Sequence, residues 1–194
     1  MSKKDKKQQY VPPQPKYDKY EGCVAAFKMA DEAKYYANFS VFHSLKMKWI
    51  QNALGSVLVL ILAIIALYRK ETAAAIVFFV LTPIFPFFLT LIQYVSVKAR
   101  LSSDKSFANT VHEYVFYDDF LNAVTKEGKK ETTKFSSRYE DLHAVFERKD
   151  VYYVYFDPNS AFVLAKADLV SGDEERLEEL FSSKLGKRFK ERRK

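Results

Sequence analysis

Only one cysteine, Cys23, stands in the 194 residues, so the chain cannot close an internal disulfide or build a zinc site from cysteine pairs. The five glycines are isolated from one another, which leaves no glycine-rich loop to cradle a phosphate. His43, His112 and His143 are far apart, and none has a metal-ligating partner one helical turn away, so each is expected to be structural. Nucleophile-elbow and metalloprotease motifs are missing as well. These absences lead us to expect no catalytic residue, no metal and no cofactor. Lys3, Lys4, Lys6 and Lys7 are followed by a polar, proline-containing stretch and not by an apolar run, so a cleaved signal peptide is not expected. The absence with the widest consequence is that of charge between Trp49 and Tyr68 and again between Thr72 and Val97.

Those two stretches are where the apolar residues concentrate. A helix over 49–68, rising about 1.5 Å per residue, matches a hydrocarbon core of roughly 30 Å. The second stretch, 72–97, is rich in phenylalanine and long enough to span with tilt. Pro83 and Pro86 should kink it near its middle. Trp49, Tyr68 and Tyr94 lie near the ends, as interfacial aromatics do. Only Arg69, Lys70 and Glu71 separate the stretches, so the expected structure is a transmembrane hairpin.

Lys34, Lys46, Lys48, Lys98, Arg100 and Lys105 flank the outer ends of the hairpin, against Arg69 and Lys70 in its turn. By the positive-inside rule both termini face the cytoplasm, in a multi-pass protein of the cell membrane. Residues 1–21, with Pro12, Pro13 and Pro15 among lysine and glutamine, read as a disordered basic tail. Residues 22–48 read as an amphipathic juxtamembrane segment, helical from Asp31 to Lys48, and 98–109 as a linker.

From residue 110 the pattern changes to short aromatic and β-branched runs punctuated by turn residues. Strands are predicted near Val111–Tyr117, Phe120–Thr125, Glu131–Ser136, Leu142–Arg148, Val151–Phe156 and Ala161–Ala165. After Gly172-Asp173 the period becomes helical, with Leu177, Leu180, Phe181 and Leu185 on one face and the glutamates elsewhere. The predicted class is therefore an α+β membrane protein: a two-helix hairpin, then a β-rich domain over 110–190 closed by an amphipathic helix. Six strands followed by one helix resemble a pleckstrin-homology-like barrel or sandwich.

With the two spans, the stretches Glu113-Tyr114-Val115-Phe116-Tyr117-Asp118-Asp119 and Tyr139 to Glu147, the Tyr152-Tyr153-Val154-Tyr155-Phe156 strand and the closing helix make the chain resemble the YcxB-like family of bacterial membrane proteins. The resemblance implies a membrane hairpin carrying a cytoplasmic domain of pleckstrin-homology type, and it brings no established activity.

The densest charge runs through Lys184, Lys187, Arg188, Lys190, Arg192, Arg193 and Lys194. Lys187, Arg188, Lys190, Arg192 and Arg193, together with Lys46, Lys48, Lys98 and Arg100, are the candidate contacts to anionic lipid, each adding up to about 1 kcal/mol near a charged leaflet. The bilayer is the expected partner, with another membrane or cytoplasmic protein a second class; nucleic acid is not expected. The leading functional expectation is a non-enzymatic, membrane-anchored interaction or regulatory protein. The alternatives are a structural subunit of a membrane complex and a membrane-surface enzyme whose residues converge only in the fold.

Overall fold

The computed structural model describes residues 20–30, 32–104, 107, 109–128 and 130–191. Most of the predicted N-terminal tail, Lys105, and Arg192 and Arg193 lie outside the described residues. The chain is α+β and divides into two compact units, Glu32–Lys105 and a second that joins Met1–Asp31 to Ser106–Lys194.

The helical unit contains α1 (Ala33–Lys46), α2 (Trp49–Tyr68) and α3 (Thr72–Ser103). The turn between α2 and α3 is closed by the chain itself. Lys70 adopts φ 62° in the left-handed region, and the Glu71 N–H donates back to the Ala66 carbonyl at 2.9 Å. Gly55 admits the ring of Phe85 between the two helices, since a Cβ there would lie 2.8 Å from Phe85 Cε1. Pro83 and Pro86 lie inside α3 without ending it. Near them the hydroxyls of Thr82 and Thr90 donate to the carbonyls of Phe78 (2.9 Å) and Pro86 (2.8 Å).

Both α2 and α3 are long and apolar enough to cross a membrane. In α2 only Ala63 and Ala66 are buried, and in α3 only Ala75 and Thr90. Every exposed large apolar side chain among the described residues except Leu45 and Val170 belongs to these two helices. Helix α1 packs mainly against α3, and its Ser44 carbonyl accepts from Asn52 Nδ2 at 3.0 Å.

Among its described residues the second unit holds nine strands: β1 (Ala25–Ala30), β2 (Thr110–Phe116), β3 (Phe120–Glu127), β4 (Lys130–Arg138), β5 (Ala144–Glu147), β6 (Val151–Asp157), β7 (Ser160–Ala165), β8 (Leu169–Gly172) and β9 (Phe189–Lys190). Helix α4 (Glu174–Leu185) lies between β8 and β9. One sheet runs β4-β3-β2-β1-β8 and the other β7-β6-β5-β9. The six predicted strands are all present, within a few residues at their ends.

Three boundaries differ from the sequence reading. Residues 22–48 are not one amphipathic segment: Ala25–Ala30 is a strand paired on both sides, to β2 and β8, Asp31 lies outside the described residues, and among those described only Ala33–Lys46 is helical. The β unit consequently does not start at residue 110, because a strand with four of its six residues buried precedes the helices. The linker expected over 98–109 is partly helix, since α3 continues to Ser103. Charge marks the end of an apolar stretch, whereas the hydrogen-bond ladder continues through residues such as Lys98, Ala99 and Arg100 that favour helix.

The core explains the strand placement. Ala25, Phe27 and Met29 are buried and stand opposite Phe116, Tyr114 and His112 of β2. Phe27 meets the second sheet through Tyr152, with ring centroids 6.5 Å apart, while Met29 Sδ accepts the Ala165 N–H at 3.3 Å. From α4, Phe181 inserts its ring among Phe116 (5.5 Å), Tyr152 (6.0 Å) and Phe189 (5.7 Å). Asp173 caps the helix by accepting the Glu175 N–H at 3.0 Å, and Leu177, Leu180, Phe181 and Leu185 form the buried face. Gly172 fixes how closely β8 approaches β1. It sits at φ 89°, and a Cβ on it would fall 2.1 Å from the Val24 carbonyl oxygen.

Candidate functional site

Among the described residues of the β unit, an assembly of ionisable side chains surrounds Lys166. This lysine occupies a single helical turn (Lys166–Asp168) after β7. Its Nζ contacts Glu147 of β5 at 2.9 Å, Glu178 of α4 at 3.3 Å, and Glu174 of α4. Beneath it lies the ring of Tyr152, 4.6 Å from Nζ to the centroid, whose hydroxyl reaches Glu178 Oε1 at 2.5 Å and Glu174 Oε1 at 3.1 Å. Strands β5 and β6 and helix α4 thus converge on one ammonium.

The electrostatics follow from this packing. Burial alone would lower the Lys166 pKa, but the hydrogen bonds it donates to Glu174 and Glu147, together with the charges of these carboxylates, outweigh burial and hold the group above the usual lysine value. Burial, then the hydrogen bond and charge of Glu178, push the Tyr152 phenol far above its ordinary range. The amine therefore stays protonated and lacks the lone pair of a nucleophile. Carboxylate oxygens of Glu147, Glu174 and Glu178 lie within 4.8 Å of one another, a spacing open to a metal ion, yet Lys166 already serves as their cation. The chemistry on offer is a salt-bridged clamp that pins the start of α4 to the second sheet.

A smaller polar cleft of about 260 Å³ lies between Asp119, Arg138, Tyr139, Glu140 and Lys184. Lys184 Nζ sits 2.9 Å from Asp119, and this hydrogen bond, helped by Arg138, holds that carboxyl below its usual value. Tyr139 is buried and donates to the Tyr117 carbonyl at 2.6 Å. Burial raises its pKa well beyond that of a free phenol.

The predicted lipid contacts divide by role. Lys46 ends α1, Lys48 lies between α1 and α2, and Lys98 and Arg100 are exposed on the last turns of α3. Lys98 also stands over the Tyr94 ring at 5.9 Å. Lys187 and Lys190 are exposed after α4. Arg188 is instead drawn into the fold, donating from Nη1 to the carbonyls of Glu140 (2.8 Å) and Leu142 (2.6 Å). His143 lies in the exposed connection before β5, whereas His112 on β2 meets Thr125 Oγ1 at 2.9 Å.

The sequence reading takes Tyr152 as a core or sheet-surface residue and names none of Glu147, Tyr152 and Lys166 as a site residue, since they are separated along the chain and share no motif. A usable signal was Glu174 and Glu178, like charges one turn apart on the same helix, a pairing that disfavours the helix unless a cation faces it. No protein-family model, curated protein or solved structure matches the chain.

Proposed function

We propose that this chain is a membrane-anchored, non-enzymatic interaction or regulatory protein. In this reading α2 and α3 span the cell membrane as a hairpin, and both termini and the β unit lie in the cytoplasm. The observation that carries it is the exposure of leucine, isoleucine, valine and phenylalanine around both helices, beside a unit that encloses its own core. In water such a surface would be a severe aggregation hazard; in lipid it is the favoured state. The cations at Lys46, Lys48, Lys98 and Arg100 against the shorter basic turn support the assigned sidedness.

The two-sheet architecture with a closing helix is compatible with a pleckstrin-homology-like domain of the YcxB-like family. Engagement of the carboxylates of Glu147, Glu174 and Glu178 with Lys166, and of Asp119 with Lys184, supports structural work for these acids in place of acid–base catalysis. Lys187 and Lys190, exposed after α4, suit contact with an anionic leaflet or an acidic protein segment.

The deciding experiment is detergent-free fractionation followed by flotation with liposomes, half of them containing phosphatidylserine. The chain should float with both, and charge-reversed Lys187 and Lys190 should weaken any additional contact of the β unit with anionic vesicles. Recovery of intact protein from the aqueous fraction after ultracentrifugation would refute the anchor.

A further inference from the structure

We infer that the helical hairpin is an insertion within the β unit, so that the unit completes its core only when both spans cross the membrane and return β1 and β2 to the same side. The inference rests on the reading of α2 and α3 as spans. The geometry that points to it is the placement of β1. Its last residue, Ala30, pairs with Val111 near the start of β2, so the segments that lead into and out of the helices meet at one rung of a ladder. The intervening unit, Glu32–Lys105, lies wholly between them in sequence.

Strand β1 is not an ornament on the sheet edge. It is hydrogen-bonded to β2 on one side and β8 on the other, and Ala25, Ala26, Phe27 and Met29 are at most 1% exposed. Without it β2 and β8 lose their common partner, the Phe27 ring is withdrawn from Phe116 and Tyr152, and the Ala165 N–H loses its acceptor on Met29. A chain with a single crossing would put this strand and the other eight on opposite faces of the bilayer. An even number of crossings is thereby built into the folding requirement of the β unit, which acts as a check on hairpin insertion.

The test uses the full chain in bacterial membranes, carrying Cys23→Ser and Glu71→Cys so that an impermeant maleimide reports whether the α2–α3 turn has crossed. Folding is read as resistance of the part beyond residue 107 to trypsin added on the side where it resides. Deleting 72–97 leaves one span, and the tryptic half-life should fall by roughly a hundredfold, in proportion to the open population. Two chains guard against trivial misfolding. Replacement of 72–97 by an unrelated apolar helix of equal length should restore resistance. So should a second copy of residues 20–30 added by a flexible linker ahead of β2 in the one-span chain. A labelled wild-type turn combined with a resistant one-span chain, or with failure of the second strand copy to restore resistance, overturns the inference alone. A wild-type turn that stays unlabelled from outside overturns the spanning hairpin, and the inference with it.

Discussion

Replacing Phe27 by alanine tests whether residues ahead of the helices hold the β unit together. Phe27 is 1% exposed, and its ring lies 6.0 Å from that of Phe116 and 6.5 Å from that of Tyr152. Truncating a buried phenylalanine costs about 3–5 kcal/mol, a figure that already contains the edge-to-face ring contacts. A native domain has only about 5–15 kcal/mol in total, so the loss is a large share. With an m-value of about 2 kcal/mol/M, the urea midpoint should fall by about 2 M. The assay is urea titration of the full-length protein in mild detergent, followed by near-ultraviolet circular dichroism of the tyrosine-rich sheets. Trp49, the only tryptophan, sits at the start of α2 and supplies a separate fluorescence signal for the helical unit. The Phe27→Ala change should move the first transition and leave the second in place. A shift worth less than about 0.5 kcal/mol, the range of ordinary surface substitutions, would refute the central role of β1.

Other outcomes follow from the same contacts. Gly172→Ala should destabilise the β unit by about 3 kcal/mol, because the new Cβ would meet the backbone of Val24 and Ala25 at a positive φ; an unchanged urea midpoint would contradict that close approach. Lys166→Met should cost about 2 kcal/mol, below the usual range for a broken buried pair because Glu174 and Glu178 keep some water; adding Glu178→Gln should recover part of it in a double-mutant cycle. The pH profile should be one-sided. Lys166 and Tyr152 both titrate above their unfolded values, so the stability they confer is complete below about pH 10 and is lost as pH rises further. Melting temperatures between pH 7 and 11 should show that decline, and it should be shallower in Lys166→Met.

The strands from β2 to β7 were legible because Val, Tyr and Phe alternate there with turn residues such as Asp118-Asp119 and Pro158-Asn159, which impose local geometry. The α4 face was legible for the same local reason, its period of Leu177, Leu180, Phe181 and Leu185. Strand β1 was not: Ala-Ala-Phe-Lys-Met-Ala has little intrinsic preference for extended structure, and what makes it a strand is a pair of partners supplied by residues 110–116 and 169–172. Strands β8 and β9, of four and two residues, are too short to carry a period. The Lys166 clamp was hidden because its members come from β5, β6, a turn and α4, and only the packing of α4 on the sheets brings them within hydrogen-bond reach.

The order β1, helices, β2 also sets a schedule for biosynthesis. Once Ala30 has left the ribosome, roughly 80 further residues must be made before β2 is available, which takes about 4–16 s at typical elongation rates. A waiting strand of that kind is safest when it is short and only weakly sticky. Three of the six residues of β1 are alanine and a fourth is Lys28, whose ammonium interrupts the apolar run. The plainness that hid this segment from pattern reading is thus the property that lets it remain unpaired without recruiting the wrong neighbour.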